Sequence, residues 1–283
     1  MTSMRGAEIS FPMFGEGFII NPPDQFSLFG LSFYFYGVII ALGFLLAVLY
    51  AMKRGNSFGI TQDNVLDVLI FALPAGIVGA RLYYVVFNFA MYKNDFAGVF
   101  RLWEGGLAVY GGIAAGALTA AAVCKIKKIH AGAFLDITAF GFLIGQSVGR
   151  WGNFFNREAF GSVTDLFCRM GLAVPGTEPV YVHPTFLYES LWNALGLLLL
   201  HLFSKSGRRQ YDGQIFIMYV AWYGLGRVFI EGLRADSLYL FGSGIRVSQL
   251  LAGLSLLAAL GALFINGREK HDPQNLFVNK KDA

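Results

Sequence analysis

The chain has 283 residues, 55% of them hydrophobic and only 14% charged, with a net charge of +4. A water-soluble domain carries about 25% charged residues, so a soluble enzyme is excluded and one membrane domain is expected. Nucleic acid is excluded as a partner, because the basic residues sit in short loops beside apolar runs, where they report membrane topology.

A span needs about 20 mostly apolar residues. The first apolar run covers residues 26–52 and ends at Lys53 and Arg54. It follows an acidic, polar leader, so no cleavable signal peptide is read. Residues 65–92 are apolar except for Asp67 and Arg81, and a polar arm follows with Lys93, Asp95, Arg101 and Glu104. Residues 105–124 are uncharged and end at Lys125, Lys127 and Lys128; residues 131–149 carry one acid, Asp136, and end at Arg150. The turn-rich stretch 151–183 reads as a loop outside the membrane. Spans at 184–203, 213–233 and 247–267 complete the pattern, and a charged tail expected to fray occupies 268–283.

The expected fold is an all-α integral membrane protein with about seven transmembrane helices. One membrane domain covers 1–267, with the extracytoplasmic loop at about 151–183, and a cytoplasmic tail covers 268–283. Lys53, Arg54, Lys125, Lys127, Lys128, Lys205, Arg208, Arg209, Arg268, Lys270, Lys280 and Lys281 fall on one face, against Arg5, Lys93, Arg101, Arg157 and Arg169 on the other. That bias puts the N-terminus outside and the C-terminus in the cytoplasm. Cys124 and Cys168 then lie on opposite faces and cannot pair. His130, His183, His201 and His271 are scattered, so neither a metal site nor an organic cofactor is implied.

Ionisable residues inside spans are costly and mark function or a pairing partner. Arg150 lies roughly 30 Å along the fourth span from His130, at its outer boundary, and Arg227 about 22 Å along the sixth. Arg81, Tyr36, Tyr110 and Glu189 fall in the same outer layer. Tyr223, Arg227, Glu231 and Arg234 follow helical spacing and share one face. Guanidinium forks bind phosphate in a bidentate way and stay charged, so arginines at headgroup level make a site for an anionic lipid. Taken singly, each also fits a bland role: Arg81 and Arg246 as snorkelling residues, Arg227 and Glu231 as a self-neutralising pair. Glu189 reads as a pairing residue, His183 as a cap, and Asp136 as a packing or pairing residue near the cytoplasmic end.

The densest cluster is Gly149-Arg150-Trp151-Gly152-Asn153-Phe154-Phe155-Asn156-Arg157-Glu158-Ala159-Phe160-Gly161. It closely resembles the signature of prolipoprotein diacylglyceryl transferases. Further pieces match in order: Phe35-Tyr36-Gly37, Gly79-Ala80-Arg81, Gly105-Gly106-Leu107, His183-Pro184-Thr185 with Tyr188-Glu189, and Tyr223-Gly224 with Arg227, Glu231 and Arg234. The resemblance runs from the first span to the seventh. It implies a transferase of lipoprotein biosynthesis in the bacterial inner (cytoplasmic) membrane, with its active site toward the outer leaflet. The donor it implies is phosphatidylglycerol. The acceptor is the lipobox cysteine beside a prolipoprotein signal peptide, and a thioether forms as glycerol phosphate leaves.

In that family the residues matching Arg150 and Arg227 are essential and bind the headgroup; those matching Tyr36, Asn153, Gly161, Glu231 and Arg234 are important too. Glu158, Arg81 and Tyr223 join them as expected substrate contacts. Tyr110 replaces a His found in many relatives and proposed there as the base for the thiol. A tyrosine titrates near 10 and is a poor base at neutral pH, so Tyr110 is expected to take part in catalysis either with its pKa depressed by the arginines or as a hydrogen-bond donor to the phosphate, while nearby cations themselves lower a thiol pKa. A transporter or lipid flippase would instead place charges at mid-membrane in repeated halves. A seven-span receptor has no need of several arginines at one depth, and an intramembrane serine protease needs a Ser–His pair that these spans lack.

Overall fold

The computed structural model describes residues 4, 6–15, 17–240 and 244–280; Arg5 and Lys281, counted above for topology, lie outside them. Among the described residues seven helices are long and apolar enough to cross a membrane: α1 (Phe35–Arg54), α2 (Gln62–Phe87), α3 (Val109–Ile126), α4 (Ala131–Asn156), α5 (Thr185–Lys205), α6 (Gln214–Leu233) and α7 (Val247–Arg268). Their flanks expose large apolar side chains such as Ile70, Leu118 and Leu257. Such surfaces suit lipid, where a helix satisfies its own backbone.

The helices pack mainly as α2 with α3, α1 with α4, α6 with α7, and α4 with α5. Small residues bring the backbones close. Where α2 meets α3, a Cβ on Gly111 would lie 2.4 Å from the Gly79 carbonyl oxygen. α2 starts with a capping box, in which the Asn64 N–H donates to the Thr61 hydroxyl and the Thr61 N–H to the Asn64 side chain.

One end of the bundle carries a small head. Its antiparallel sheet has the order β2-β1-β5-β6, from β1 (Glu8–Ser10), β2 (Ile19–Ile20), β5 (Met170–Ala173) and β6 (Val180–Val182). Ile9, Phe11, Phe154, Phe160, Met170, Leu172, Val182 and Phe186 form its core. A larger core lies toward the opposite end, around Phe58, Ile60, Ile137, Phe140 and Ile215. There the buried Asp136 carboxylate accepts the Gly213 and Phe216 N–H groups, both at 2.9 Å, and so caps the start of α6.

Three boundaries differ from the sequence reading. Residues 25–34 of the first apolar run form a hairpin, β3 (Gln25–Leu28) with β4 (Leu31–Tyr34), turned by Phe29 and Gly30 at φ 52° and 79°. Two left-handed residues in a two-residue turn match the strand twist, so the helix begins only at Phe35. α4 runs past Arg150 to Asn156 and stops at Arg157, whose φ is 48°. The tail is docked rather than frayed: the Phe277 ring stacks on His130, and its N–H donates to Asp212 at 2.8 Å. Cys124, in α3, and Cys168, in the head, are both free thiols.

Candidate active site

At the head end, α4, α5 and α6 bring three arginines onto one carboxylate. Glu189 is buried one turn into α5. Its Oε2 takes Arg150 Nη2 of α4 at 2.5 Å. Its Oε1 takes Arg227 Nη1 at 3.0 Å and Arg234 Nη1 at 3.4 Å. Arg227 turns its other nitrogen to Glu231 Oε2 at 2.5 Å, one helical turn on. The Ser237 hydroxyl donates to Glu231 Oε1 at 2.8 Å, and Arg246 donates to the Glu231 carbonyl. Arg234 caps the end of α6 and forks onto Asp236 at 2.9 and 2.8 Å. Three guanidinium groups thus face Glu189, Glu231 and Asp236, and burial is tolerable because their charges are matched.

Arg150 also lines a cavity of about 480 Å³ between α1 and α4. Tyr36, Ile40, Phe44 and Ala47 form its α1 wall, and Gly141, Phe142, Gly145, Gln146, Gly149 and Asn153 join Arg150 on α4. The wall is mostly apolar, with Tyr36, Arg150 and Asn153 at the head end and Gln146 one turn further in. α1 and α4 touch because their meeting residues are small: a Cβ on Gly152 would sit 2.7 Å from the Tyr36 ring. On the other side of the Arg150–Glu189 pair, Glu189, Trp192, Asn193, Tyr223, Gly226, Arg227 and Ile230 enclose a small recess between α5 and α6.

Of the residues singled out from sequence, Arg150, Arg227, Glu231 and Arg234 meet in the cluster. Tyr36 and Asn153 border the cavity beside it, and Tyr223 the recess. Glu158 accepts the amides of Asn153 and Asn156 at 3.0 and 3.2 Å, which holds Asn153 near Arg150 Nη1, 3.5 Å away. Gly161 joins head to bundle. Its N–H donates to the His183 carbonyl at 2.9 Å, and a Cβ there would come within 2.6 Å of His183 Cβ and 2.8 Å of the Leu233 oxygen. Burial lowers the His183 pKa, so its ring, near the Tyr188 hydroxyl, adds no further cation to the cluster.

Two expected residues stand apart. Arg81 is buried and spends its fork on backbone carbonyls of the arm after α2: Val99 at 2.8 Å, Gly105 at 2.5 Å, Gly106 at 3.0 Å, Gly98 at 2.6 Å and Arg101 at 3.2 Å. It holds that arm in place and has no N–H left over for a substrate phosphate. Tyr110 is 73% exposed on the first turn of α3 and is not among the bonded partners of the four arginines at the cluster. Glu189 is a pairing residue as expected, with three arginines as its partners, whereas Asp236 and Ser237 were not singled out from sequence. The available signal was charge balance, since buried arginines at one depth require as many acids there.

A family model described as prolipoprotein diacylglyceryl transferase matches residues 23–265. Relatives named phosphatidylglycerol–prolipoprotein diacylglyceryl transferase span nearly the whole chain. One from Streptococcus equi subsp. equi is 40% identical over 258 residues, covering 89% of this chain and 97% of its own length. One from Enterococcus faecalis is 41% identical, covering 90% and 93%, and one from Listeria welshimeri is 40% identical, covering 94% and 97%.

Proposed function

The chain belongs to the prolipoprotein diacylglyceryl transferase family, and we propose that the arginine cluster is the seat of its transfer reaction. The enzyme transfers the diacylglyceryl group of phosphatidylglycerol to a prolipoprotein, the first step of lipoprotein maturation. In our reading the acceptor is the lipobox cysteine, presented beside its signal peptide. The head and the cluster face the outer leaflet of the cytoplasmic membrane.

The observation that carries this reading is the convergence of Arg150, Arg227 and Arg234 on Glu189, beside a largely apolar cavity that Arg150 itself lines. A phosphodiester lipid has that polarity: one anionic head and two hydrocarbon chains. From Arg150 to Gly141 the α4 wall descends about 13 Å, a length of cavity that acyl chains would follow. Arg150 and Arg227 clamp the phosphate and offset the charge that grows as glycerol phosphate departs. Tyr36 and Asn153 complete the hydrogen bonds, and Glu231 orients Arg227.

Purified protein in micelles, given phosphatidylglycerol and a lipobox peptide, should yield a product with the mass of the thioether. Arg150→Ala and Arg227→Ala should each abolish it, while the protein still inserts and purifies. Near-normal transfer by Arg150→Ala would refute the assignment.

A further inference from the structure

We propose that Glu189 takes the proton from the acceptor thiol, an inference that rests on the transfer reading above. The reaction needs a proton acceptor, and neither Tyr110, the candidate from sequence, nor the nearby His183 supplies one. Tyr110 is exposed, and neither its hydroxyl nor the His183 ring is bonded to the arginines. Glu189 lies at the junction instead. Its Arg150 partner lines the donor cavity, and Glu189 itself lines the recess on the α5–α6 side. That recess holds about 10 Å³, about the least that admits one water molecule.

Charge conservation in a buried cluster supports the assignment. Glu189 occupies the guanidinium forks that a phosphate would use. An arriving phosphodiester monoanion therefore competes with the carboxylate. In the transfer, the S–H bond breaks and its proton goes to a Glu189 carboxylate oxygen. The sulfur electron pair forms the S–C bond. The C–O bond to phosphate breaks, and its electron pair stays on that oxygen. Glycerol phosphate leaves as a dianion. Glu189 becomes neutral as the phosphate gains its second charge, so the arginines shift their hold from carboxylate to leaving group. The net charge of the buried site is the same before and after the transfer, so the step itself adds no charge there, which would be costly. Glu189 returns its proton to water as the product departs. The same arginines lower the thiol pKa, so a carboxylate suffices as acceptor.

The test uses purified enzyme with phosphatidylglycerol and two lipobox peptides, one with cysteine and one with selenocysteine at the acceptor position. A selenol is already ionised near neutral pH and needs no base. Glu189→Gln should lower turnover of the cysteine peptide by about 10²- to 10⁴-fold. The KM for phosphatidylglycerol should stay level or fall, because a competing anion is gone. Turnover of the selenocysteine peptide should remain within about tenfold of the parent's. Equal loss with both peptides would overturn the proposal, as would cysteine turnover within about threefold of the parent's. Should the Gln variant not fold, Glu189→Asp, which draws the carboxylate back by one methylene, is judged by the same ratio. A parent enzyme inactive on both peptides would instead refute the transfer reading itself.

Discussion

The register between Glu189 and Arg227 depends on a crossing of α5 over α6 that can be perturbed without touching a charge. Trp192 and Trp222 stack there with ring centroids 4.3 Å apart and planes within 14°. Each indole N–H donates to the other's backbone carbonyl at 3.0 Å. Each ring lies on a glycine of the facing helix: a Cβ on Gly226 would meet Trp192 Nε1 at 2.2 Å, and one on Gly196 would meet Trp222 Nε1 at 2.4 Å. Trp192 is one turn beyond Glu189, and Gly226 directly precedes Arg227. Trp192→Phe keeps a ring and deletes one hydrogen bond, a loss of about 1 kcal/mol. The weakened stack adds about 0.5–1 kcal/mol. The unfolding temperature in detergent should fall by roughly 2–4 °C per kcal/mol lost. Because the two rings stabilise each other, a double-mutant cycle with Trp222→Phe should show coupling of about 1 kcal/mol. Transfer should weaken more in Gly226→Ala, where the methyl pushes the helices apart, than in Trp192→Phe. Additivity within about 0.3 kcal/mol would refute the latch.

Two further perturbations separate structure from chemistry. Asp136→Asn removes the carboxylate that caps α6 and lies 3.9 Å from the buried Arg209. It should cost about 3–5 kcal/mol of stability, read as a lowered unfolding temperature. The KM for phosphatidylglycerol should be unchanged, since Asp136 lies about 21 Å from Arg150 along α4. Arg81→Ala strips five carbonyls of their donor and should expose residues 93–106 to limited proteolysis while the bundle's unfolding temperature barely moves. Arg81→Lys should restore only part of the protection, because one ammonium cannot span a fork's partners. An arm still protected in Arg81→Ala, with headgroup binding lost, would return Arg81 to the site.

The seven spans were legible because each is an uncharged or nearly uncharged run closed by lysine or arginine. Their head-side ends were not. Residues 26–34 are uncharged and largely apolar like the helix they precede, so the run gave no break between hairpin and helix. The left-handed Phe29 breaks the usual preference for Asn or Gly at that turn position. Gly149 in the expected span and Gly152 in the expected loop serve as contact points for Ile40 and Tyr36 and leave α4 intact to Asn156. The site was half legible. Helical spacing alone put Tyr223, Arg227, Glu231 and Arg234 on one face, since that relation lies within a single helix. The hub, Glu189, depends on α4, α5 and α6 meeting at one point, and no spacing along the chain encodes that. Arg81 shows the converse, because a motif position at the right depth turned out to bind backbone.

Matched charge also sets how tightly the site can attract its donor. Three arginines could not be buried here without Glu189, Glu231 and Asp236, because each unpaired cation would be strongly destabilising. The acids that make the protein stable therefore weaken its hold on an incoming phosphodiester. For an enzyme embedded in its own substrate that is no handicap. Binding donor and transition state equally well lowers KM without raising turnover, and gains nothing once the donor exceeds KM. What raises turnover is a hold that strengthens only as the second negative charge appears on the leaving phosphate. Glu189 provides that difference if its carboxylate is neutralised in the same step. A cluster of bare arginines would bind the donor more tightly, and it would release the glycerol phosphate dianion more slowly.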